Sequence, residues 1–491
     1  MLNINNNTSR LKREILVRIA RLQLEGKLAE KVHDIPKELA PAGSNPIRCC
    51  IYHDREIIRH RIIARLGCGL ENYDDEKQLT DYAQEALNRE KPTQPILIVL
   101  DLACNACVRS HFMVTNACLA CVARPCLMNC GRKAIEIKEG RARIDSEKCV
   151  SCGLCQQNCP YHAIIKIPVP CEEACPVGAI SKNENGRECI DYNKCIFCGN
   201  CMRECPFGAM MDKGQLVDVI KHIMNNKNVV ALYAPAAAAQ FRVEPKKLEG
   251  SLLAAGFSNV IEVALGADIT SDKEAAEFTE RCYPTDSMEK GEKMMTTSCC
   301  PAYVRAVRRH VPELESCISS TRTPMHYAAE IAKKEYPGCI TVFIGPCLAK
   351  RQEGMDDELV DYVISIEELG ALFVAKEIDV AQAAPAQGNK LPTSTGRNFA
   401  KSGGVAQAVK ARLKDPSILK EAVIDGLDKA GMKRLAEFGK INSGELPRKD
   451  DTPNLIEVMT CQGGCIAGPS VITNPKVALT QLAKYAESGT K

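Results

Sequence analysis

The sequence predicts three successive regions: a helical N-terminal region over 1–92, a tandem α+β unit over 93–215, and an α/β domain over 216–491. Three observations carry this prediction. Near the start, apolar residues recur at helical spacing; four near-copies of one short cysteine-bearing unit follow; beyond Met211, short apolar runs alternate with helical stretches.

In the first region Leu11, Ile15, Ile19 and Leu22 follow a Thr8/Ser9 cap, and similar patterns run to about Asn88. Its Cys49, Cys50 and Cys68 lack metal-ligand spacing and read as packed or idle thiols. With 64 basic and 61 acidic residues the net charge is only +3, which argues against nucleic acid as a partner, as does the absence of tryptophan. The opening residues hold no apolar signal core, and the longest apolar candidate, Ile96 to Ala103, is too short to span a bilayer. The expectation is a cytoplasmic protein without a membrane span, in a reducing compartment where clustered cysteines, among the 28 present, bind metal.

After the break Lys91–Pro95 the repeats end alike: Cys130-Gly-Arg-Lys-Ala-Ile, Cys159-Pro-Tyr-His-Ala-Ile, Cys175-Pro-Val-Gly-Ala-Ile and Cys205-Pro-Phe-Gly-Ala-Met. Two stretches, Cys149-x2-Cys152-x2-Cys155-x3-Cys159-Pro and Cys195-x2-Cys198-x2-Cys201-x3-Cys205-Pro, match the bacterial ferredoxin run for 4Fe-4S clusters. Three closely spaced thiolates wrap one cubane and the fourth reaches a neighbour. A structural zinc site has no use for the third cysteine or the Cys-Pro. A third unit, Cys118-x2-Cys121-x4-Cys126-x3-Cys130, has expanded spacing, and a fourth is split, with Cys171-x3-Cys175-Pro present and Cys104-x2-Cys107 available to complete it.

Sixteen cysteines then close four 4Fe-4S clusters of a ferredoxin-like multi-cluster domain. If fourth ligands are exchanged, the groups are Cys118, Cys121, Cys126, Cys159; Cys130, Cys149, Cys152, Cys155; Cys175, Cys195, Cys198, Cys201; and Cys104, Cys107, Cys171, Cys205. For Cys104 and Cys107 a zinc site or an uncoordinated pair stays open. Cys189 reads as a packed thiol.

Beyond Met211 the runs NVVALYAPA, NVIEVALGAD, CITVFIGPC and NLIEVMTCQGGC each lead into a motif, which places the motifs at the carboxyl ends of strands. Three motifs after Met211 hold five cysteines: Cys299-Cys300, Cys347, and Cys461 with Cys465. Four thiolates at Cys300, Cys347, Cys461 and Cys465 suffice for one cubane, and the glycines between the last two let backbone approach metal.

From about Asn228 to Val477 these strings, in this order, resemble the three signatures of FeFe (iron-only) hydrogenases. The overall plan is most similar to the monomeric group B branch. The resemblance implies an α/β catalytic domain whose two halves surround an H-cluster, a 4Fe-4S cubane joined through Cys465 to a two-iron unit with CO, cyanide and a dithiolate bridge. It implies further that Cys299 is the thiol that hands protons to that bridge, and that Lys350 donates to a cyanide ligand. Ala234, Pro235, Ala236, Pro346 and Met459 would line the cofactor. Glu274 and Glu277, three apart on a predicted helix, would form a proton relay with Ser319 and Arg281. Without the resemblance, Lys350 and the two glutamates read as solvated surface groups, Ala234–Ala236 as a strand end and Met459 as core.

The chain departs from the best-known branch at Gly345 (methionine there), at Tyr303 (tryptophan there), and at Ala467-Gly468-Pro469, where that branch has a glycine run. These departures bear on packing, bias and oxygen tolerance rather than on ligands. The implied reaction is 2H+ + 2e− ⇌ H2, with ferredoxin or flavodoxin as redox partner and hydrogenase maturation proteins supplying the cofactor. No dinucleotide or P-loop fingerprint is present. Two alternatives are weighed beside it. A non-catalytic iron–sulfur assembly factor has no need of Cys299, Lys350, Glu274 or Glu277, and a hydrogen sensor would carry an output domain.

Overall fold

The computed structural model describes residues 6–70, 73–108, 111–283, 293–387 and 390–490. Residues 1–5 and 71–72 of the region expected to be helical lie outside these. No helix among the described residues is long and apolar enough to cross a membrane.

The N-terminal region is built on the helices Asn7–Leu24, Ile51–Arg65 and Leu79–Asn88. The first is capped by Asn6, whose side chain accepts from Ser9 N at 2.9 Å, satisfying one of the orphan amides of the first turn. This helix buries two faces. Ile15 and Ile19 pack with Ile58, Ile62 and Ile63 in a core of the N-terminal helices, while Leu16 and Ala20 enter the core of the α/β region beside Leu216 and Val219. The region is therefore laid against the rest of the molecule as a shared layer.

In the cysteine-rich unit two similar substructures are nested. The inner one pairs His111–Val114 with Ile164–Ile167 antiparallel around the hairpin Ile135–Lys138/Arg141–Ile144. The outer one pairs Leu97–Val99 with Met210–Asp212 antiparallel and holds the hairpin Ile180–Lys182/Glu188–Ile190. Pairing of residue 97 with residue 212 carries the upstream Cys104 and Cys107 back to the final run. That is why the fourth repeat is split in sequence.

All four apolar runs beyond Met211 are parallel strands. One sheet runs Asn259–Glu262, Val229–Tyr233, Ile340–Gly345, Tyr362–Ser365; a second runs Met295–Thr296, Leu455–Met459, Glu421–Asp425. The motifs leave the carboxyl ends of both sheets, as expected for open α/β sheets.

A buried ionic knot ties the three regions together. Asp212 accepts from Arg65 of an N-terminal helix and from Arg351 of the helix Leu348–Asp356, each at 2.8 Å, and Lys12 lies 3.7 Å away. Burial alone would raise the Asp212 carboxyl, but Arg65, Lys12 and Arg351 together hold it well below the usual range. Arg351 also pairs with Glu368, and Lys12 with Glu367.

Candidate functional site

The repeat ending has a physical cause. In each of the four units the alanine amide donates to the sulfur of the preceding cysteine: Ala134 N to Cys130 Sγ at 3.3 Å, Ala163 N to Cys159 Sγ at 3.4 Å, Ala179 N to Cys175 Sγ at 3.2 Å, and Ala209 N to Cys205 Sγ at 3.4 Å. The residue before each alanine (Lys133, His162, Gly178, Gly208) is left-handed, which turns the amide toward the sulfur. Amide donation to a thiolate is one of the levers that stabilise and tune an iron–sulfur ligand.

The Cys-x2-Cys loops are equally alike. Ala106, Ala120, Ser151 and Phe197, each directly before the second cysteine, are all left-handed, so Cys104-x2-Cys107 folds as the other three do. Four cavities result. Cys118, Cys121, Cys126 and Cys159 line one, and Cys130, Cys149, Cys152 and Cys155 a second. A third is lined by Cys175, Cys195, Cys198 and Cys201, and a fourth by Cys104, Cys107, Cys171 and Cys205. The structure thus brings these sixteen cysteines together in the four expected sets. In each set the sulfurs ring a volume, an arrangement that fits a multi-iron cubane. Cys189 donates to Ser181 O at 3.2 Å, Cys68 is buried, and Cys49 and Cys50 are exposed.

The third set abuts the motifs of the α/β region. Cys195 O accepts from Arg305 at 3.2 Å and Arg309 at 3.0 Å, both on the helix Pro301–His310 that Cys300 caps. Gly199 stands against Pro469, where a Cβ would come within 2.7 Å of the ring. The departure at Pro469 therefore fits a contact with the cysteine-rich unit. Tyr303 is fully buried and donates to Thr296 Oγ1 at 2.6 Å, and a side chain at Gly345 would strike the Phe343 ring.

Cys300 and Cys347 occupy the extended N-cap positions of Pro301–His310 and Leu348–Asp356, Cys461 follows the strand Leu455–Met459, and Cys465 opens a short helical turn. The glycines between the last two serve the backbone. Gly463 and Gly464 are left-handed at φ +90° and +88°, and a Cβ on Gly464 would fall 2.7 Å from Ala400 O. The backbone of the neighbouring loop, Ala400 and Lys401, also stands against Gly464.

These four cysteines are each partly buried. Burial, and then the neighbouring thiols Cys347 and Cys300, push Cys465 up to about 12 and Cys461 well above the ordinary value; burial and Cys300 push Cys347 up to about 12. Without a cation they are neutral, and a metal that binds them displaces their protons.

Cys299 stands apart. Burial first, then the carboxyls of Glu274 and Glu457, raise its thiol well above the ordinary value and keep it protonated. It packs against Met459 in a small apolar cluster with Phe399 and Val405. Glu274 is completely buried; its Oε1 accepts from Ser298 N at 3.1 Å and Ser298 Oγ at 3.3 Å, and its Oε2 has no hydrogen-bond partner among the described residues. Burial raises it to about 7, opposed by the Ser298 amide and reinforced by Glu277.

Glu277 is the opposite case. Its partial burial is outweighed by Ser319 Oγ at 2.6 Å, Ser320 N and Oγ at 2.8 Å and Thr321 Oγ1 at 2.9 Å, which hold it below the ordinary carboxyl value. Arg281 pairs with it at 2.5 Å and keeps 31% of its side chain exposed, so the chain of groups reaches the surface.

Lys350 is buried and donates to Glu353 Oε2 at 2.7 Å; burial would lower it, but Glu353, Cys347 and Cys299 raise it on balance. Neither Lys350 nor Glu274 is a solvated surface group. Ala234 caps the helix Pro235–Phe241 next to Gly345, with Pro235 and Ala236 buried, and Pro346 O accepts from Ser470 N at 3.2 Å.

Sequence reasoning passed over Glu353 and Glu457. Glu353 sits one turn beyond Lys350, a spacing that could have announced it. Glu457 lies in the middle of the apolar run NLIEVM, and a lone carboxyl in a buried strand is itself a signal. It accepts from Gly403 N and Ala406 N, each at 2.8 Å, at the start of the helix Gly404–Arg412, and burial raises it to about 7.

Comparison with known proteins places this geometry. Residues 227–469 match the family described as iron only hydrogenase large subunit, C-terminal domain, and residues 142–165 and 188–211 match the 4Fe-4S binding domain. Iron hydrogenase 1 of Clostridium pasteurianum is 28% identical over 328 residues, 55% of this chain and 54% of that protein. The NADP-reducing hydrogenase subunit HndD of Solidesulfovibrio fructosivorans is 29% identical over 310 residues, 53% of each chain. The chain thus spans about half the length of these curated relatives. A solved variant of the apo [FeFe]-hydrogenase HydA1 from Chlamydomonas reinhardtii aligns with a TM-score of 0.41 at 21% identity, covering 53% of this chain and 83% of that one. Through the domain at residues 227–469 and the iron–sulfur domains before it, the chain belongs to the FeFe hydrogenase family.

Proposed function

We propose that this protein interconverts protons, electrons and H2 at an H-cluster, and that it is a monomeric, group B-like FeFe hydrogenase. The observation that carries the reading is Cys299. It is a fifth thiol beside a four-cysteine set, kept protonated and facing a buried carboxyl, Glu274, whose value near 7 suits proton exchange at neutral pH.

The residues present fit the group. Cys300, Cys347, Cys461 and Cys465 would hold the cubane, with Cys465 shared by the two-iron unit. Lys350 would donate to a cyanide, and Ala234, Pro235, Ala236, Pro346 and Met459 would exclude water around it. When bound, that unit supplies the reduction of protons and the cleavage of H2. The protein's share is to move protons. Cys299 gives its thiol proton inward and is recharged by Glu274; Ser319 bridges toward Glu277, and Arg281 opens that carboxylate to solvent. Ser319 suits a relay because its hydroxyl can accept on one side while it donates to Glu277 at 2.6 Å on the other.

Electrons would pass along the four cysteine-lined cavities. The third set, touching Pro469 and Arg305, stands nearest the catalytic motifs. Ferredoxin or flavodoxin is the proposed redox partner, and hydrogenase maturation proteins the proposed source of the two-iron unit. The test is infrared spectroscopy of protein matured with that machinery, together with an H2 assay. Bands of iron-bound CO and cyanide with H2 turnover are expected, and absence of both would overturn the reading in favour of a non-catalytic iron–sulfur protein.

A further inference from the structure

We propose that Arg48 and Arg61, both from the helical N-terminal region, clamp the two loops that carry the Cys104/Cys107/Cys171/Cys205 set and raise the reduction potential of the 4Fe-4S cluster bound there. The proposal rests on reading those four cysteines as cluster ligands. It assigns a task to a region that no motif explains.

Arg61 lies on the helix Ile51–Arg65 and is 6% exposed. It donates through NH2 to Phe207 O at 2.9 Å, two residues beyond Cys205, and its Nε has no hydrogen-bond partner among the described residues. Among the described residues no carboxylate pairs with it, which is costly for a buried cation unless an anion lies close by. Its neighbours supply little of one, Asp54 being the smallest of the charges that act on it. Arg65 is paired with Asp212; Glu188, which lines the fourth cavity, is paired with Lys182; Asp54 accepts from Ile47 N at 2.7 Å. Burial, Arg48 and Arg65 push Arg61 down to about 10, and Cys205 is the first group that opposes them.

Arg48 grips the other loop. It donates through NH2 to Ala103 O at 2.7 Å, directly before Cys104, while its guanidinium stands 5.5 Å from the centroid of the Phe207 ring. One short segment of the N-terminal region thus ties residue 103 to residue 207 across the cavity. A cubane held by four thiolates is anionic in both redox states and more so when reduced. An uncompensated cation in a low-dielectric setting beside it favours the reduced state, and fixed ligand loops limit the reorganisation that would screen it. The cluster also supplies the counter-charge that Arg61 otherwise lacks.

The test is an anaerobic redox titration of the cluster-loaded full chain, followed by electron paramagnetic resonance, with iron counted per chain. Cys104→Ser identifies the signal of this cluster by removing it. Arg61→Gln should then move the midpoint of that same signal to more negative potential, its reduced-to-oxidised ratio at a fixed poise falling on the order of tenfold, with iron content and the other signals unchanged. Arg48→Gln should move it in the same direction. An unmoved midpoint in Arg61→Gln overturns the proposal. Should Arg61→Gln lose the cluster, Arg61→Lys decides: iron retained at the native midpoint supports the charge role, and iron lost again overturns it. If Cys104→Ser leaves every signal and the iron count unchanged, the ligand reading falls first and the proposal with it.

Discussion

Lys350 Nζ stands 2.7 Å from Glu353 Oε2, and Thr323 holds the other oxygen of that carboxylate. The pair is part-buried one turn beyond Cys347, so the ammonium is held in one orientation by a group other than the candidate ligands. Glu353→Gln should keep the four-cysteine cubane yet lower H2 turnover by roughly 10–100-fold, the usual cost of removing an outer-shell partner. Infrared spectra of the matured variant, read beside the rate, check it through shifted cyanide bands.

The relay makes a graded prediction. Cys299→Ala and Glu274→Gln each break a buried step and should cost roughly 10²–10⁴ in turnover at near-normal iron content. Arg281→Ala, at the exposed end, should cost far less, because water can reach Glu277 directly. Equal losses at Arg281 and Glu274, measured by H2 evolution, would contradict this order.

Much of this site was legible because its spacing is chemical. The Cys-x2-Cys-x2-Cys-x3-Cys runs and the pairs Glu274/Glu277 and Cys461/Cys465 are local patterns, and local patterns survive in a string of letters. The repeat ending Cys-x3-Ala was visible too, although its cause, an amide aimed at sulfur by a left-handed residue, was not. What stayed hidden is non-local. Nothing near Leu97 announces that it pairs with Asp212, yet that pairing returns Cys104 to Cys205. The strand Met295–Thr296 is too short for periodicity to show, and Glu421–Asp425 is half exposed. Nothing near Gly464 announces that the backbone of Ala400 and Lys401 packs against it.

Two buried carboxyls set a pH dependence of stability. Glu274 and Glu457 are each raised to about 7, first by burial. In the unfolded chain they ionise near the ordinary glutamate value of about 4.3. Between those limits the folded state keeps protons that the unfolded state has lost, so stability falls as pH rises from about 4.3 and levels off above about 7. Each group contributes on the order of 3 kcal/mol to the fall. Denaturant unfolding between pH 5 and 8 should show the decline, and Glu274→Gln should remove about half of its slope.

Gly199 carries a packing prediction. It is left-handed at φ +78°, and a methyl group there would meet the Pro469 ring at 2.7 Å. Gly199→Ala should destabilise the protein by roughly 2–4 kcal/mol, from overpacking and the left-handed backbone together. It should also slow H2 turnover driven by reduced ferredoxin, by separating the third cysteine set from the catalytic motifs. Thermal unfolding and the ferredoxin-linked rate measure the two effects separately.

The helix Asn7–Leu24 sets an order of events during synthesis. Leu16 and Ala20 belong to the α/β core, and Lys12 pairs with Glu367 on the helix Ile366–Ala375. The first helix therefore leaves the ribosome more than 300 residues ahead of its partner, and at about 5–20 residues per second it waits on the order of half a minute with that apolar face uncovered. During that interval all sixteen cysteines of the four cavity-lining sets emerge. The closing contact of the N-terminal helix is thus made only after the cysteine-rich unit has emerged, so docking of this helix would serve as a late seal over that unit.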